Sequence, residues 1–131
     1  MSPEANVIAR HRLDRADAAC REGDLLSDQH SYGGAANRYY YAAFHAARAL
    51  LATRNVDSAR HAGVIALFQQ HFVKSGDFPA DIARALPRSF EKRLSSDYSD
   101  FVEIRAEEVE RVRTEVHAFV EACREFLSRP Q

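Results

Sequence analysis

The stretch NRYYYAAFHAARALL, residues 37–51, decides the fold of this 131-residue chain. Its apolar residues recur at the three- and four-residue spacing of an α-helix. At about 100° per residue, the apolar side chains gather in one arc, which predicts the face that enters a core. The members of this arc are Ala36, Tyr40, Ala43, Phe44, Ala47, Leu50 and Leu51. A second arc, nearly opposite the first, contains Arg38, Tyr41, His45 and Arg48.

Helical spacing recurs four more times along the chain, and no stretch of five residues alternates in the manner of a β-strand. The predicted helices cover residues 3–25, 35–53, 59–74, a segment that starts near 79, and 106–128. Gly33-Gly34 is interpreted as a flexible joint, and SDYSDF, residues 96–101, as a turn. Pro87 is expected to kink or split the fourth helix because it lacks a backbone N–H. The sequence therefore predicts an all-α, antiparallel up-and-down bundle of about five helices, with residues 1–131 forming a single domain.

Composition narrows the function classes. The formal net charge is −1 and the isoelectric point is about 6.6, so nucleic-acid binding would have to come from a local basic patch. No run of about 18 apolar residues occurs, so no membrane span is expected. The N-terminal residues lack the apolar core of a signal peptide, which predicts a cytoplasmic protein. Cys20 and Cys123 fall in different helices and are expected to be buried, reduced thiols.

The polar arc of the second helix has two interpretations. It is either a solvated face or a surface for a ligand or a second subunit, and Tyr41 favours the latter because Tyr and Arg are enriched at interfaces. Arg38 and His45 stand two turns apart on one face, where a histidine could serve acid–base chemistry on RNA while an arginine holds a phosphate.

The segment RLSSDY, residues 93–98, places a guanidinium, a carboxylate and a phenol within about two helical turns. Together with Arg88 and Lys92, Arg93 forms a local basic patch that suits a phosphate-bearing partner. A salt bridge between Arg93 and Asp97, with Tyr98 in the core, explains the same residues structurally. Both interpretations stay open at this level.

No metal or cofactor is expected. His61 and His71 are ten residues apart, roughly 15 Å along a continuous helix, so they cannot share an ion. HExxH, CxxC and EF-hand patterns do not occur, nor does a glycine-rich phosphate loop. His61 is expected to cap or pack at the start of the third helix, with a functional role as the second interpretation.

Four blocks, in this order, resemble the HEPN superfamily, and more narrowly its small stand-alone prokaryotic branch. The blocks are NRYYYAAFHAARALL, SARHAGVIALFQQHFVKSG, RLSSDY and AEEVERVRTEVHAFVEACREFL. The resemblance covers about residues 14–127 and implies an antiparallel helical bundle, usually a homodimer with a functional groove at the dimer interface. Many members are metal-independent endoribonucleases, and others are non-catalytic RNA- or nucleotide-binding modules. Several are toxins encoded beside a minimal nucleotidyltransferase, the antitoxin that adds AMP to a tyrosine of the toxin.

Active members carry an arginine, four to six further residues and then a histidine at the end of the late helix. Here Arg93 matches the arginine, whereas Tyr98 stands in place of the histidine. A phenol is a poor general base at neutral pH, so this departure puts cleavage in doubt. Arg38 and His45 satisfy the literal spacing, but on the second helix, where they are expected to contribute to the same groove.

Three hypotheses follow. In the first, the protein is a toxin-type ribonuclease: Arg38 and Arg93 hold the scissile phosphate, His45 is the acid or base, and the RNA 2′-hydroxyl is the nucleophile. In the second, it is a non-catalytic subunit that binds a nucleotidyltransferase, nucleotide or RNA, with Tyr98 as the residue that accepts a nucleotide. The residues that would bind nucleotide or RNA are Arg38, Tyr41, Arg48, Arg93, Asp97 and Tyr98. The third is a structural helical module without a ligand.

Overall fold

The structure, a computed structural model, describes residues 2–98 and 103–129, except for the side chains of residues 96–98. All regular elements in these ranges are helical: α1 (Pro3–Asp28), α2 (Tyr32–Ala52), α3 (His61–Phe68, continued by a π-helical turn, Gln69–Val73), α4 (Ala80–Ala83), α5 (Ala85–Tyr98) and α6 (Ala106–Ser128). One residue separates α4 from α5, so the pair stands where a single kinked helix was predicted. The predicted all-α bundle is confirmed.

Helices α1 and α2 form a hairpin held together by close approach. Ser2 caps α1, since its Oγ accepts a hydrogen bond from the Ala5 N–H at 3.1 Å. At Gly23 a Cβ atom would lie 2.7 Å from the Tyr39 ring, so only glycine lets the two helices approach this closely. Two residues after the end of α1, His30 adopts the left-handed backbone conformation, with φ of 62°. Helix α2 begins two residues after His30.

The prediction of a flexible joint at Gly33-Gly34 was wrong. Both glycines lie in the first turn of α2, which begins at Tyr32 rather than near residue 35. The reversal of the chain occurs earlier, at residues 29–31, where His30 adopts a positive φ, a conformation that is uncommon for residues other than glycine. A glycine pair is therefore a weak guide to a boundary when another residue makes the turn.

Pro87 does not split a helix, contrary to the prediction. The break comes at Arg84, and Pro87 is the third residue of α5. The first N–H groups of a helix have no acceptor within that helix, so a proline there removes no hydrogen bond. The predicted turn at residues 96–101 begins too early, because α5 continues to Tyr98; the remaining residues of that turn lie outside those described.

The core forms around α2, which is packed by α1, α3, α5 and α6. All seven residues of the predicted apolar arc are buried, as are Tyr39, Ala42, Ala46 and Ala49 outside that arc. Aromatic rings from α3, the loop after it and α6 complete the core, with Phe68 in contact with Phe72, Phe78 and Phe119. Helix α6 has the predicted bounds.

Cys20 and Cys123 are buried free thiols, as predicted. Burial raises the pKa of Cys20 to about 12 and raises that of Cys123 as well, so neither is a reactive thiolate at neutral pH. In the described part of the chain, no helix is both long and apolar enough to cross a membrane.

Candidate functional site

Tyr41 lies between two arginines that come from different helices. The Arg38 Cζ atom, on α2, lies 5.7 Å from the centroid of the Tyr41 ring, and the Arg93 Cζ atom, on α5, lies 5.6 Å from it. Tyr41 is half-buried. Arg48 follows on α2, and Arg12 and Arg15 approach from α1. We call these five arginines and Tyr41 the basic face.

Arg93 is held against α2 by polar and cation–π contacts. Its Nε donates a hydrogen bond to Asn37 Oδ1 at 3.3 Å, and its Cζ also lies 5.6 Å from the Tyr40 ring centroid. The packing of α5 on α2 therefore brings together Arg38, Tyr41 and Arg93, which are up to 55 residues apart in the sequence.

His45 is buried, whereas the polar arc predicted that it would lie nearly opposite the core. Its exposed fraction is 7%, because α1 covers this side of α2. The ring atom Nδ1 is fully buried and has no hydrogen-bond partner within the described residues. Burial, followed by the charges of Arg15, Arg48, Arg38 and Arg12, lowers the pKa of His45 to about 4, so the ring is neutral at pH 7.

Arg48 is anchored by a carboxylate that the sequence had suggested only as part of a turn. Its Nε and Nη2 donate to the two oxygens of Asp57, at 3.0 and 2.7 Å. Arg12 reaches the same carboxylate at 3.1 Å and donates to the Arg48 carbonyl oxygen at 3.0 Å. The hydrogen bonds from Arg48 lower the pKa of Asp57 to about 2. No signal in the sequence singles out Asp57, since the contact depends on the turn between α2 and α3.

The other two arginines of this pair of helices, Arg38 on α2 and Arg15 on α1, differ in how well their charges are neutralised. Arg38 Nε lies 2.8 Å from Glu22 Oε2, within ion-pair distance, but the atoms are not aligned for a hydrogen bond and Nε is buried without one. Arg15 is exposed and has no ionic partner within the described residues. Within the described residues, the positive charge of the basic face that no carboxylate neutralises is that of Arg15.

His61 belongs to this region; sequence reasoning expected it to cap or pack at the start of α3, with a functional role as the second interpretation. It is the first residue of α3, and its ring stacks on Phe90 (centroids 6.1 Å apart, planes at 14°) and lies 4.8 Å from Phe44. Its Nδ1 is 2.6 Å from the hydroxyl of Tyr40. The structure shows the packing role. It adds a hydrogen bond to Tyr40, which lies 21 residues earlier in the sequence.

A metal site does not form in the described part of the chain, where no three His, Cys, Asp or Glu side chains are grouped to hold an ion. The side chains at and around the basic face are guanidinium groups, phenols and two imidazoles whose pKa values are lowered chiefly by burial.

Comparison with known proteins settles the family. The HEPN domain model matches residues 9–126. This chain belongs to the HEPN family. A “UPF0332 protein” of Thermotoga maritima is 31% identical over 124 residues, 95% of this chain and 94% of that protein. Two Methanocaldococcus jannaschii proteins are also similar: “Putative toxin MJ0605” (35% over 115 residues, 88% of this chain, 85% of that protein) and “Putative toxin MJ0142” (25% over 115 residues, 88% and 78%).

The late-helix motif of this HEPN protein is only partly described. The side chains of Asp97 and Tyr98 lie outside the described residues, so the Arg93–Asp97 pair and the roles of Tyr98 stay predictions. Two cations of the predicted basic patch are paired with carboxylates of α6. Arg88 lies 3.2 Å from Glu115, and Lys92 lies 2.9 Å from Glu108. Arg93 is the member of the patch whose guanidinium lies over the tyrosines of α2.

Proposed function

We propose that this HEPN protein is the toxin-type component of a toxin–antitoxin pair. It acts in the cytoplasm as a homodimer of one domain per chain, and it binds RNA at the basic face, where RNA is cleaved without a metal. The observation that carries the proposal is the placement of Arg38 and Arg93, from separate helices, on the ring of Tyr41. The printed names of the two Methanocaldococcus jannaschii relatives support the toxin assignment.

The chemistry of these side chains fits an RNA phosphate flanked by a base. A guanidinium can donate two parallel hydrogen bonds to one phosphate, which a lysine cannot do. Tyr41 supplies an aromatic ring on which a base can stack, and such stacking is tolerant of sequence. Two guanidiniums at one phosphate would also stabilise the extra negative charge that develops during transesterification.

In the proposed cleavage, the 2′-hydroxyl of the RNA loses its proton and attacks the adjacent phosphorus to form a 2′,3′-cyclic phosphate. The bond from phosphorus to the 5′-oxygen of the next nucleotide breaks, and that oxygen takes a proton from water to leave as a hydroxyl. Arg38 and Arg93 hold the phosphate. Sequence reasoning assigned His45 the role of acid or base; its Nδ1 is buried without a partner, so this role falls to the other ring nitrogen, Nε2, which is not among the buried atoms that lack a partner. His45→Ala therefore tests whether the imidazole takes part in the chemistry or only fills space beneath Tyr41.

A second function is favoured by two observations: Tyr98 replaces the motif histidine, and His45 is both buried and weakly basic. In this alternative the protein is a non-catalytic HEPN subunit. Its basic face binds nucleotide or RNA, and a nucleotidyltransferase antitoxin transfers AMP to Tyr98. The two functions share the same face and differ in whether RNA is cut.

The decisive experiment is incubation of the purified protein with a mixed RNA pool in EDTA. Arg93→Ala, Arg38→Ala and His45→Ala are compared with Arg84→Ala, which changes the exposed arginine that separates α4 from α5. Cleavage by wild type and Arg84→Ala, with loss in Arg93→Ala and Arg38→Ala, supports the ribonuclease. Cleavage that survives in both variants excludes this site.

Absence of cleavage by a folded dimer, verified by light scattering, selects the second function. Co-expression with a nucleotidyltransferase followed by mass spectrometry then tests for an added AMP, with Tyr98→Phe as the control. If no tyrosine is modified and no RNA is bound under those conditions, both functions are excluded.

A further inference from the structure

The hydroxyl of Tyr40 has one hydrogen-bond partner within the described residues, His61 Nδ1 at 2.6 Å. Tyr40 is completely buried, so water does not reach its oxygen. Burial raises the pKa of this phenol, which therefore keeps its proton at neutral pH. The hydroxyl hydrogen must be placed in a hydrogen bond, because a buried polar hydrogen without an acceptor destabilises the fold.

That requirement fixes the direction of the bond. If His61 Nδ1–H donated to the phenol, the hydroxyl hydrogen of Tyr40 would have no acceptor. If Tyr40 donates to an unprotonated Nδ1, both groups are satisfied. A neutral imidazole carries one proton, so the proton of His61 then sits on the other ring nitrogen, Nε2. Tyr40 thus selects one tautomer of His61.

The proton on Nε2 is available to a ligand. Nε2 makes no hydrogen bond within the described residues, and it is not among the buried atoms that lack a partner, so it reaches solvent. The ring itself is held in place, since Phe44 and Phe90 pack against it. His61 is therefore a fixed imidazole with one N–H directed out of the core.

Arg93 and His61 pack against the same two tyrosine rings. The Arg93 guanidinium and the His61 ring both contact the rings of Tyr40 and Tyr41, at 5.6 Å for the guanidinium and at 5.4 and 5.9 Å for the imidazole. Burial and the charge of Arg93 both disfavour protonation of His61. A neutral N–H donor can stand next to a guanidinium without repulsion, and together they offer hydrogen bonds to two oxygens of one phosphate.

We propose that His61 is a phosphate-binding residue of the basic face, held by the Tyr40 hydroxyl as the Nε2–H tautomer so that it donates to an RNA phosphate oxygen beside Arg93. This role rests on the proposed function, because it uses the same face and the same class of ligand. It is separate from the late-helix motif, since Tyr40 and His61 lie on α2 and α3. His61 contributes a hydrogen bond rather than a charge.

The tautomer can be measured directly. Two-bond ¹H–¹⁵N correlation spectra of the histidine-labelled protein at pH 7.5 distinguish Nε2–H from Nδ1–H, and the spectrum of His61→Gln assigns the signal. We expect Nε2–H in wild type and a mixture of tautomers in Tyr40→Phe. A predominant Nδ1–H form in wild type overturns the proposal.

Binding of RNA tests the role of the donor. The probe is a short single-stranded RNA of mixed sequence, methylated on its 2′-oxygens so that cleavage does not interfere. We expect His61→Ala to weaken binding about tenfold, the loss of one hydrogen bond to a charged group. His61→Gln retains a side-chain N–H donor and should stay within about threefold of wild type. His71→Ala, on the π-helical turn that continues α3, is the matched control and should bind as wild type.

The outcomes separate the two proposals. If wild type binds, Arg93→Ala loses binding and His61→Ala binds normally, the basic face stands and the role of His61 is excluded. If wild type does not bind the RNA, the proposed function fails and the phosphate-binding role of His61 fails with it. Circular dichroism spectra of the variants exclude misfolding as the cause of any loss.

Discussion

His45 and His61 lie on two sides of Tyr41, and they show how one kind of side chain takes opposite roles. The ring of each is within 6.1 Å of Tyr41, and burial lowers the pKa of each. The Nδ1 of His45 is buried without a partner and the ring has four arginines around it, whereas the Nδ1 of His61 has a phenol partner. Burial alone makes an imidazole a cost to stability; burial with a hydrogen-bond partner makes it an oriented donor.

The largest expected effect comes from acid titration of His45. In the unfolded chain this histidine has a pKa near 6.5, and in the folded protein its pKa is about 4. Between these values the unfolded state binds a proton that the folded state does not, so stability falls as the pH falls. The part of the folding stability that depends on neutral His45 is fully present above pH 6.5 and is lost as the pH falls to 4. We expect a loss of about 2–3 kcal/mol in urea denaturation between pH 7.5 and pH 4.

The control for this titration is His45→Leu, which should show a much flatter pH dependence over the same window. His61, whose pKa is also lowered, contributes in the same direction in both proteins. Asp24, Asp57, Asp77 and Glu108 have lowered pKa values and act chiefly below pH 4.5. Equal slopes for wild type and His45→Leu would show that His45 is not the group that titrates.

The next effect is the loss of the phenol–imidazole pair. His61→Leu leaves the buried hydroxyl of Tyr40 without an acceptor, which should cost about 1–3 kcal/mol of stability at pH 7.5. The double variant Tyr40→Phe/His61→Leu removes both partners and should be less destabilised than the sum of the single variants. A double-mutant cycle by urea denaturation measures the coupling. Additive single effects would mean that the 2.6 Å contact contributes nothing.

A smaller effect, of opposite sign, is expected for His45→Leu at pH 7.5. Leucine fills a similar volume and removes the buried nitrogen that has no partner, so the protein should gain about 1 kcal/mol. His61→Leu, in contrast, should destabilise the protein. Comparing the two leucine variants therefore tests directly the difference between the two histidines. A destabilised His45→Leu protein would indicate that Nδ1 has a partner in solution, such as an ordered water.

The smallest effect concerns the carboxylate that neutralises two of the arginines near His45. Asp57→Asn weakens the contacts of Arg12 and Arg48 and should cost about 0.5–1 kcal/mol, since the Asp57 carboxylate is itself exposed to solvent. It should also tighten RNA binding slightly, because two guanidiniums lose their counter-charge. Asp14→Asn, an exposed aspartate of α1, is the control. Unchanged stability and unchanged RNA affinity would show that Asp57 affects neither property.

Sequence reasoning reached most of the fold because helical spacing is local. The bounds of α6 and the buried arc of α2 were predicted from residues three and four positions apart. The errors fall where a local signal had two meanings. Pro87 breaks a helix in its interior but is tolerated in its first turn, and Gly33-Gly34 marks a joint only if no other residue turns the chain.

The candidate site was less accessible to sequence reasoning because its contacts are not local. Arg38, Tyr41 and Arg93 were singled out by residue type, and their meeting depends on how α5 packs on α2. A helical wheel orders side chains around one axis but does not show how many helices cover them, which is why the burial of His45 was missed. Tyr40 and Tyr41 are adjacent tyrosines, and only the position of α3 gives the first a histidine partner.

The α1–α2 hairpin has a consequence for the growing chain on the ribosome. The two helices are joined by three residues and share the largest interface in the molecule, so they can pack as soon as residue 52 has left the exit tunnel. Arg12, Arg15, Arg38 and Arg48 are then already in place, while His61 and Arg93 are still to come. A nascent chain surrounded by ribosomal RNA would therefore lack the two side chains that complete the proposed phosphate site until synthesis is nearly finished.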